Sequence, residues 1–201
     1  MYNDYNRRIF QLVESAKNVL DVGCATGKLL EKLRDEKGCY TVGIEMDGVL
    51  AGQARQRCHQ LIIGNVETLD LPFQAKQFDV IVFADVVEHL RNPEDVLRKL
   101  QTYLEDDGSV VISIPNIAFV TARLNLLFGR FDYTEYGIMD RGHLHFFTLE
   151  TARKLITSCG FRIVLVEGYN QVRDRYFVLR PLGRLWKTLF ATDLIVKAVK
   201  E

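Results

Sequence analysis

Residues 19–27 read Val-Leu-Asp-Val-Gly-Cys-Ala-Thr-Gly, and residues 42–47 read Val-Gly-Ile-Glu-Met-Asp. A short apolar run ending in a turn of small residues is the first strand and loop of a nucleotide-type α/β fold. Glu45 follows Gly23 by 22 residues, the length of one β-α-β unit. An acid at the end of the second strand can grip a ribose. Glycines in the turn let the backbone approach a ligand where a side chain would clash.

The rest of the chain keeps the alternation. Strands are expected at 18–22, 40–45, 60–63, 78–83, 109–114, 161–167 and 191–199. Helices are expected at 9–16, 27–37, 47–58, from 93 to about 104, 117–128 and 148–159, and a short helix or loop at 179–189. Asp47, Asn92 and Thr148 stand where N-caps belong, with Pro93 at a first helical position and Gly160 at a helix end. Asp106, Asp107 and Gly108 form a turn. This pattern implies a Rossmann-like α/β three-layer sandwich, its seven-stranded sheet mostly parallel with an antiparallel last strand. One domain is expected over 1–201, interrupted by a lid or acceptor insertion at about 115–147.

Composition narrows the partners. The chain has 201 residues, 48% hydrophobic, with 26 basic and 26 acidic side chains. That balance disfavours a broad nucleic-acid surface. The four cysteines contain no CxxC pair, so neither a zinc site nor a disulfide framework is suggested. No apolar run reaches membrane-spanning length and residues 1–8 are polar and aromatic, so a cytoplasmic protein is expected.

A dinucleotide loop calls for Gly-x-Gly-x-x-Gly. Here Ala25 takes the second glycine position and Lys28 the third. Asp21 would repel a pyrophosphate but can reach the amino group of an amino-acid-bearing cofactor. An NAD-dependent oxidoreductase is therefore disfavoured.

With those residues in place, the chain resembles the class I S-adenosylmethionine-dependent methyltransferases. The likeness runs from residues 19–27 through Gly43 to Asp47, then 64–73 and 78–90, four motifs in the family's order and spacing. It implies that S-adenosyl-L-methionine is the cofactor and S-adenosyl-L-homocysteine the product. Asp21, Gly23, Ala25 and Gly27 match the loop that holds the methionine portion, with Ala25 replacing the more usual glycine. Glu45 matches the ribose acid, Met46 would pack on the adenine, Asn65 would accept from its amino group, and Val66 could donate a backbone N–H to a ring nitrogen. Ala84 would lie near the sulfonium. Tyr5 and Arg7 could close over the cofactor's carboxylate.

The acceptor is read from two segments. Asp85, Glu88 and His89 resemble the corresponding stretch of ubiquinone-biosynthesis-type O-methyltransferases. Two carboxylates and an imidazole can hold a metal, but such a stretch also simply opens its helix; the latter is the reading adopted, and no metal ligand is assigned. Residues 140–147 resemble a segment of bacterial methyltransferases associated with surface polysaccharide. A hydroxyl acceptor must lose its proton, for which a neutral His is suited. His143 is the first candidate for that base and His145 the second; alternatively either ring caps the helix that starts at Thr148. O-methylation of a small molecule, a glycan or a lipid-linked acceptor is expected, with no nucleic acid and no integral membrane segment, and with a homodimer possible. A non-catalytic cofactor-binding or partner subunit is the alternative. The basic stretch 180–190 is expected to pack across the sheet rather than touch a membrane.

Overall fold

The computed structural model describes residues 5–170 and 185–201. Seven strands form one sheet: β1 (Asn18–Val22), β2 (Tyr40–Glu45), β3 (Gln60–Ile63), β4 (Phe78–Ala84), β5 (Leu104–Pro115), β6 (Phe161–Tyr169) and β7 (Asp193–Lys200). Their spatial order is β3-β2-β1-β4-β5-β7-β6. Strand β7 runs antiparallel to both β5 and β6, and the remaining pairs are parallel. The chain winds outward from β1 to β3, then returns to lay β4 on the other side of β1. That reversal opens a crevice beyond the carboxyl ends of β1 and β4, where ligands of open α/β sheets bind.

Alternation along the strands builds two apolar layers. Leu20, Val22, Ile81 and Phe83 face one side, where they meet α4 (Pro93–Gln101) and α6 (Leu149–Ser158) through Leu97, Leu100 and Ile156. Val19, Val80 and Val82 face the other side and meet α1 (Arg7–Leu12) and α2 (Lys28–Lys37) through Ile9, Leu29 and Leu33. All four cysteines are buried and free. No helix of the described residues is long and apolar enough to cross a membrane.

Several boundaries differ from the sequence reading for local reasons. Helix α1 starts earlier, because the Asn6 side chain accepts from the Arg8 and Ile9 N–H groups. Helix α3 (Gly48–Ala54) is capped by Asp47 as expected but stops short of Cys58. It carries Gly48 and Gly52, both poor helix formers. Asn92 occupies the cap position of α4 without a side-chain capping bond, and its own N–H donates to Glu67 Oε1 instead. Helix α4 ends at Gln101 because Leu104 pairs with Phe78. The expected turn at Asp106–Gly108 is an irregularity inside β5, where the register jumps from Phe78↔Leu104 to Val80↔Ser109. The helical stripe at 117–128 is α5 (Val120–Leu127). Of the stretch 180–190, residues 180–184 lie outside the described residues, and Lys187–Phe190 is a short helix.

Candidate active site

The loop after β1 is a tight turn. Gly23 and Cys24 N–H groups both donate to the Ile44 carbonyl, and Gly27 N–H closes back on the Cys24 carbonyl at 2.8 Å. Gly27 has φ +75°, and a Cβ there would stand 2.9 Å from the Ala54 backbone. Glycine is thus required where the turn enters α2. Ala25 also sits in the left-handed region, at φ +46°, with a methyl group where glycine would carry no strain. A Cβ on Gly23 would meet Val86 at 2.7 Å, so the loops after β1 and β4 touch.

Two acids lie beneath this turn. Glu45, at the end of β2, is buried and accepts from Ala25 N–H through Oε2 and from Asp47 N–H through Oε1, each at 2.8 Å. Asp21 is buried in β1 with Oδ1 lacking any hydrogen-bond partner. Burial, with the Glu45 charge adding to it, pushes the Asp21 carboxyl up to about 8. An orphaned buried carboxyl oxygen beside a backbone turn of small residues is unfinished chemistry that a ligand's cationic group would complete.

The other cofactor candidates ring the same crevice. Met46 follows Glu45 and is 69% exposed. Asn65 follows β3; its Oδ1 accepts from Glu67 N–H at 2.9 Å, so the side chain shapes its own loop. Val66 is buried against the core and its carbonyl accepts from Lys99. Ala84 ends β4, paired with Ser113. Tyr5 packs edge-on against Phe10, and Arg7 opens α1 with an exposed side chain. The neighbouring Arg8 pairs with Glu167 near the carboxyl end of β6, which puts the start of α1 at the same edge of the sheet.

Beyond β4 the chain makes a second strained turn. Asp85 has φ +56°; its N–H donates to Ser113 Oγ at 3.0 Å and its Oδ1 accepts from that hydroxyl at 2.6 Å. Burial raises the Asp85 carboxyl, and the hydroxyl and His89 pull it back. A single 3₁₀ turn (Val87–His89) follows. Glu88 within it is 1% exposed, and neither carboxylate oxygen has a hydrogen-bond partner. Burial first, then the charges of Asp85, Asp193 and Asp140, hold it well above the usual carboxylate range.

The insertion between β5 and α6 folds back over this turn. Its ends are tied together, since Ile117 N–H donates to the Phe147 carbonyl at 3.0 Å. Leu144 and His145 N–H groups both donate to the Glu88 carbonyl, at 2.9 and 3.1 Å. These bonds carry the His143 side chain, 5% exposed, to 3.9 Å from Glu88 Oε1. His143 Nδ1 lies 3.3 Å from the Ile138 carbonyl and His89 Nδ1 lies 3.0 Å from the Gly142 carbonyl. A carbonyl only accepts, so in each neutral ring the hydrogen is on Nδ1 and the lone pair on Nε2. Burial lowers the His143 pKa, and His89 lowers it further against the opposing pull of Asp140 and Ile138. Glu88, His89 and His143 each bring one ligand-type atom within 4.8 Å of the others.

The structure therefore separates the two sequence candidates for a base. His143 reaches Glu88, whereas His145 turns away, its Nε2 3.3 Å from the Arg91 carbonyl. Neither caps α6; Thr148 and Thr151 form a capping box by themselves. Sequence reading did not single out Ser113 or pair Glu88 with His143, because both contacts join residues far apart in the chain. A cavity of about 340 Å³ is lined by Arg8, Gln11, Glu167 and Lys187, and by none of the candidate cofactor or base residues.

Comparison with known proteins bears on the family and the fold. A family model described as a methyltransferase domain matches residues 2–166. The chain is 31% identical over 108 residues to the ubiquinone biosynthesis O-methyltransferase of Acinetobacter baylyi, covering 51% of this chain and 45% of that one. It is 27% identical over 182 residues to the enzyme of the same name from Coxiella burnetii, covering 86% and 76%. The matched stretch thus spans about half the length of the Acinetobacter relative. Among solved structures, a S-adenosylmethionine-dependent methyltransferase from Archaeoglobus fulgidus superposes with TM-score 0.69 at 20% identity, covering 96% of this chain and 90% of that one. A chain from the Haloferax volcanii complex of a methyltransferase with its activator Trm112 gives 0.70 at 14%, covering 96% and 87%. With four motifs, the sheet order and the matched family model in agreement, the chain belongs to the class I S-adenosylmethionine-dependent methyltransferases.

Proposed function

We propose that this protein transfers a methyl group from S-adenosylmethionine to a hydroxyl of a small molecule or of a glycan or lipid-linked acceptor. The observation that carries the reading is His143: a buried neutral imidazole, brought over the end of β4 by the lid, with its Nε2 lone pair free of the backbone. The names of the ubiquinone-biosynthesis relatives support oxygen as the accepting atom.

The residues present fit the cofactor. The orphaned Asp21 carboxyl would face its ammonium group. Glu45, already held by two backbone N–H groups, would present its remaining lone pairs to the ribose hydroxyls. Met46, Asn65 and Val66 would line the adenine, and Ala84 would lie near the sulfonium with Tyr5 and Arg7 at the carboxylate end. When bound, the cofactor supplies a methyl group already activated on positive sulfur. The protein's work is then alignment and proton removal. A row of rings running Tyr133, Phe131, Phe146, His143 and His89, with centroids 4.9 to 6.0 Å apart, offers the acceptor an apolar wall leading to His143.

Calorimetric titration with S-adenosylmethionine and S-adenosylhomocysteine tests the reading. Both are expected to bind; a folded protein that binds neither would refute it. Turnover on a panel of hydroxylated, amino and thiol acceptors then decides the accepting atom.

A further inference from the structure

Glu88 poses a question that the cofactor site does not answer. It is a carboxyl group 1% exposed with both oxygens unpartnered, in the 3₁₀ turn after β4. Folding leaves such a group without partners only at a cost, so its retention calls for a reason. His143 Nε2 lies 3.9 Å from its Oε1. The main chain fixes that approach from both sides: the Glu88 carbonyl takes two N–H groups from the residues just after His143, and the Ile138 carbonyl fixes the ring's Nδ1.

We propose that Glu88 is the proton partner of His143, a positioning residue that acts through the imidazole and takes from it the proton removed from the acceptor. The inference rests on the O-methyl transfer proposed above. As the acceptor's O–H bond breaks, its proton goes to His143 Nε2. The oxygen lone pair forms the new O–CH₃ bond, and the S–CH₃ bonding pair remains on sulfur. The imidazolium then passes that proton to the Glu88 carboxylate, and both side chains end neutral. Closing the gap by about 1 Å gives the charge-assisted hydrogen bond this exchange requires. Catalytic contacts are commonly long before the acceptor is bound.

The surroundings favour that end state. Burial raises Glu88 and lowers His143, so the neutral pair is favoured over a buried ion pair. The groups facing the pair are Asp85 before the 3₁₀ turn, His89 within it, Asp140 in the lid and Asp193 on β7. The three acids oppose ionisation of Glu88, and His89 opposes protonation of His143. The active form carries Glu88 ionised and His143 neutral, so activity rises with pH as the pair loses its last proton.

Glu88→Gln keeps size and shape and removes the proton sink. It is expected to lower kcat ~10- to 100-fold, within what a general base contributes, with KM for S-adenosylmethionine unchanged. The acid limb of the kcat/KM profile moves to lower pH, where His143 alone titrates. Imidazole NMR of the whole protein gives a reading that needs no turnover: the His143 titration shifts to lower pH in Glu88→Gln. If Glu88→Gln does not fold, His143→Gln reads the pair from the other side. The infrared carboxyl band of Glu88, isotope-edited, is then expected to titrate at lower pH than in wild type. An unmoved His143 titration, or an unmoved Glu88 band in the second variant, overturns the proposal. So does activity that EDTA abolishes and Mg²⁺ or Mn²⁺ restores, which would make the cluster a cation site. Absence of O-methyl transfer alongside a coupled His143 titration would refute the function above and leave the pair standing.

Discussion

The Ala25 N–H donates to Glu45 Oε2 at 2.8 Å, so the loop after β1 and the acid that ends β2 form one unit before any ligand arrives. The second oxygen takes the Asp47 N–H, which joins the start of α3 to the same carboxylate. Glu45→Ala therefore removes two things. It deletes the acceptor proposed for the ribose hydroxyls, and it leaves two backbone N–H groups without their partner. Hydrogen bonds to a charged group are worth about 1.5–3 kcal/mol each. Affinity for S-adenosylmethionine is expected to fall at least ~10-fold on that basis, measured by calorimetry. Denaturant unfolding should show a loss of about 1–3 kcal/mol from the stranded N–H groups.

Asp21 predicts a pH signature. Its carboxyl, pushed up to about 8 in the folded chain from an ordinary 3.8, binds a proton more tightly folded than unfolded. Its contribution to stability is therefore whole below the unfolded value and is lost as pH rises to about 8. The slope is at most ~1.4 kcal/mol per pH unit between those limits. Asp21→Asn should abolish this part of the slope in unfolding experiments on the ligand-free protein. Binding runs the other way: the ammonium group of the cofactor pairs with the ionised form. Affinity should rise as pH approaches 8 in wild type and stay weaker and flatter in Asp21→Asn.

His143→Ala separates chemistry from binding. If His143 is the general base, its loss should lower kcat by ~10²–10⁴, while affinity for S-adenosylmethionine stays close to wild type, because the ring's neighbours are Ile138, Glu88, His89 and Phe146. His145→Ala should leave kcat within about threefold of wild type by the same reasoning, since its ring nitrogen is spent on the Arg91 carbonyl. Equal losses in the two variants would remove His143 from the mechanism.

Strand positions were readable from sequence because each has its own apolar run and turn residues. Strands β1, β2 and β3 fall on the expected residues without adjustment. That Asp21, the glycine turn and Glu45 come together was legible for the same reason: they belong to one β-α-β unit, and local spacing fixes their meeting. Helix ends were less so. Asn92 looks like a cap, yet Glu67 on another loop competes for the segment. The acceptor side was least legible. Glu88 and His143 are 55 residues apart, counted from their numbers. They meet through two backbone bonds that no periodicity encodes. The two histidines of the lid stand two residues apart in an irregular segment. Only the fold shows that one points to Glu88 and the other to Arg91.

The position of the insertion between β5 and α6 depends on a residue outside both candidate sites. Asn116 follows β5 and is fully buried. Its Nδ2 donates to the Ala191 carbonyl at 2.8 Å, and its Oδ1 accepts from Ala118 N–H at 3.1 Å. Its own N–H donates to the Thr192 carbonyl. One side chain thus moors the first residues of the insertion to the segment entering β7. Asn116→Ala strands a carbonyl and an N–H in the interior, which should cost about 1–3 kcal/mol. Asn116→Asp should cost more, because an ionised oxygen would then face the Ala191 carbonyl where a donor stood. If the mooring sets the proposed lid, acceptor KM rises in Asn116→Ala while the cofactor Kd stays unchanged, since the Asn116 bonds named here run to Ala118, Ala191 and Thr192. Equal weakening of acceptor and cofactor would instead mean that the variant loosens the whole sheet edge.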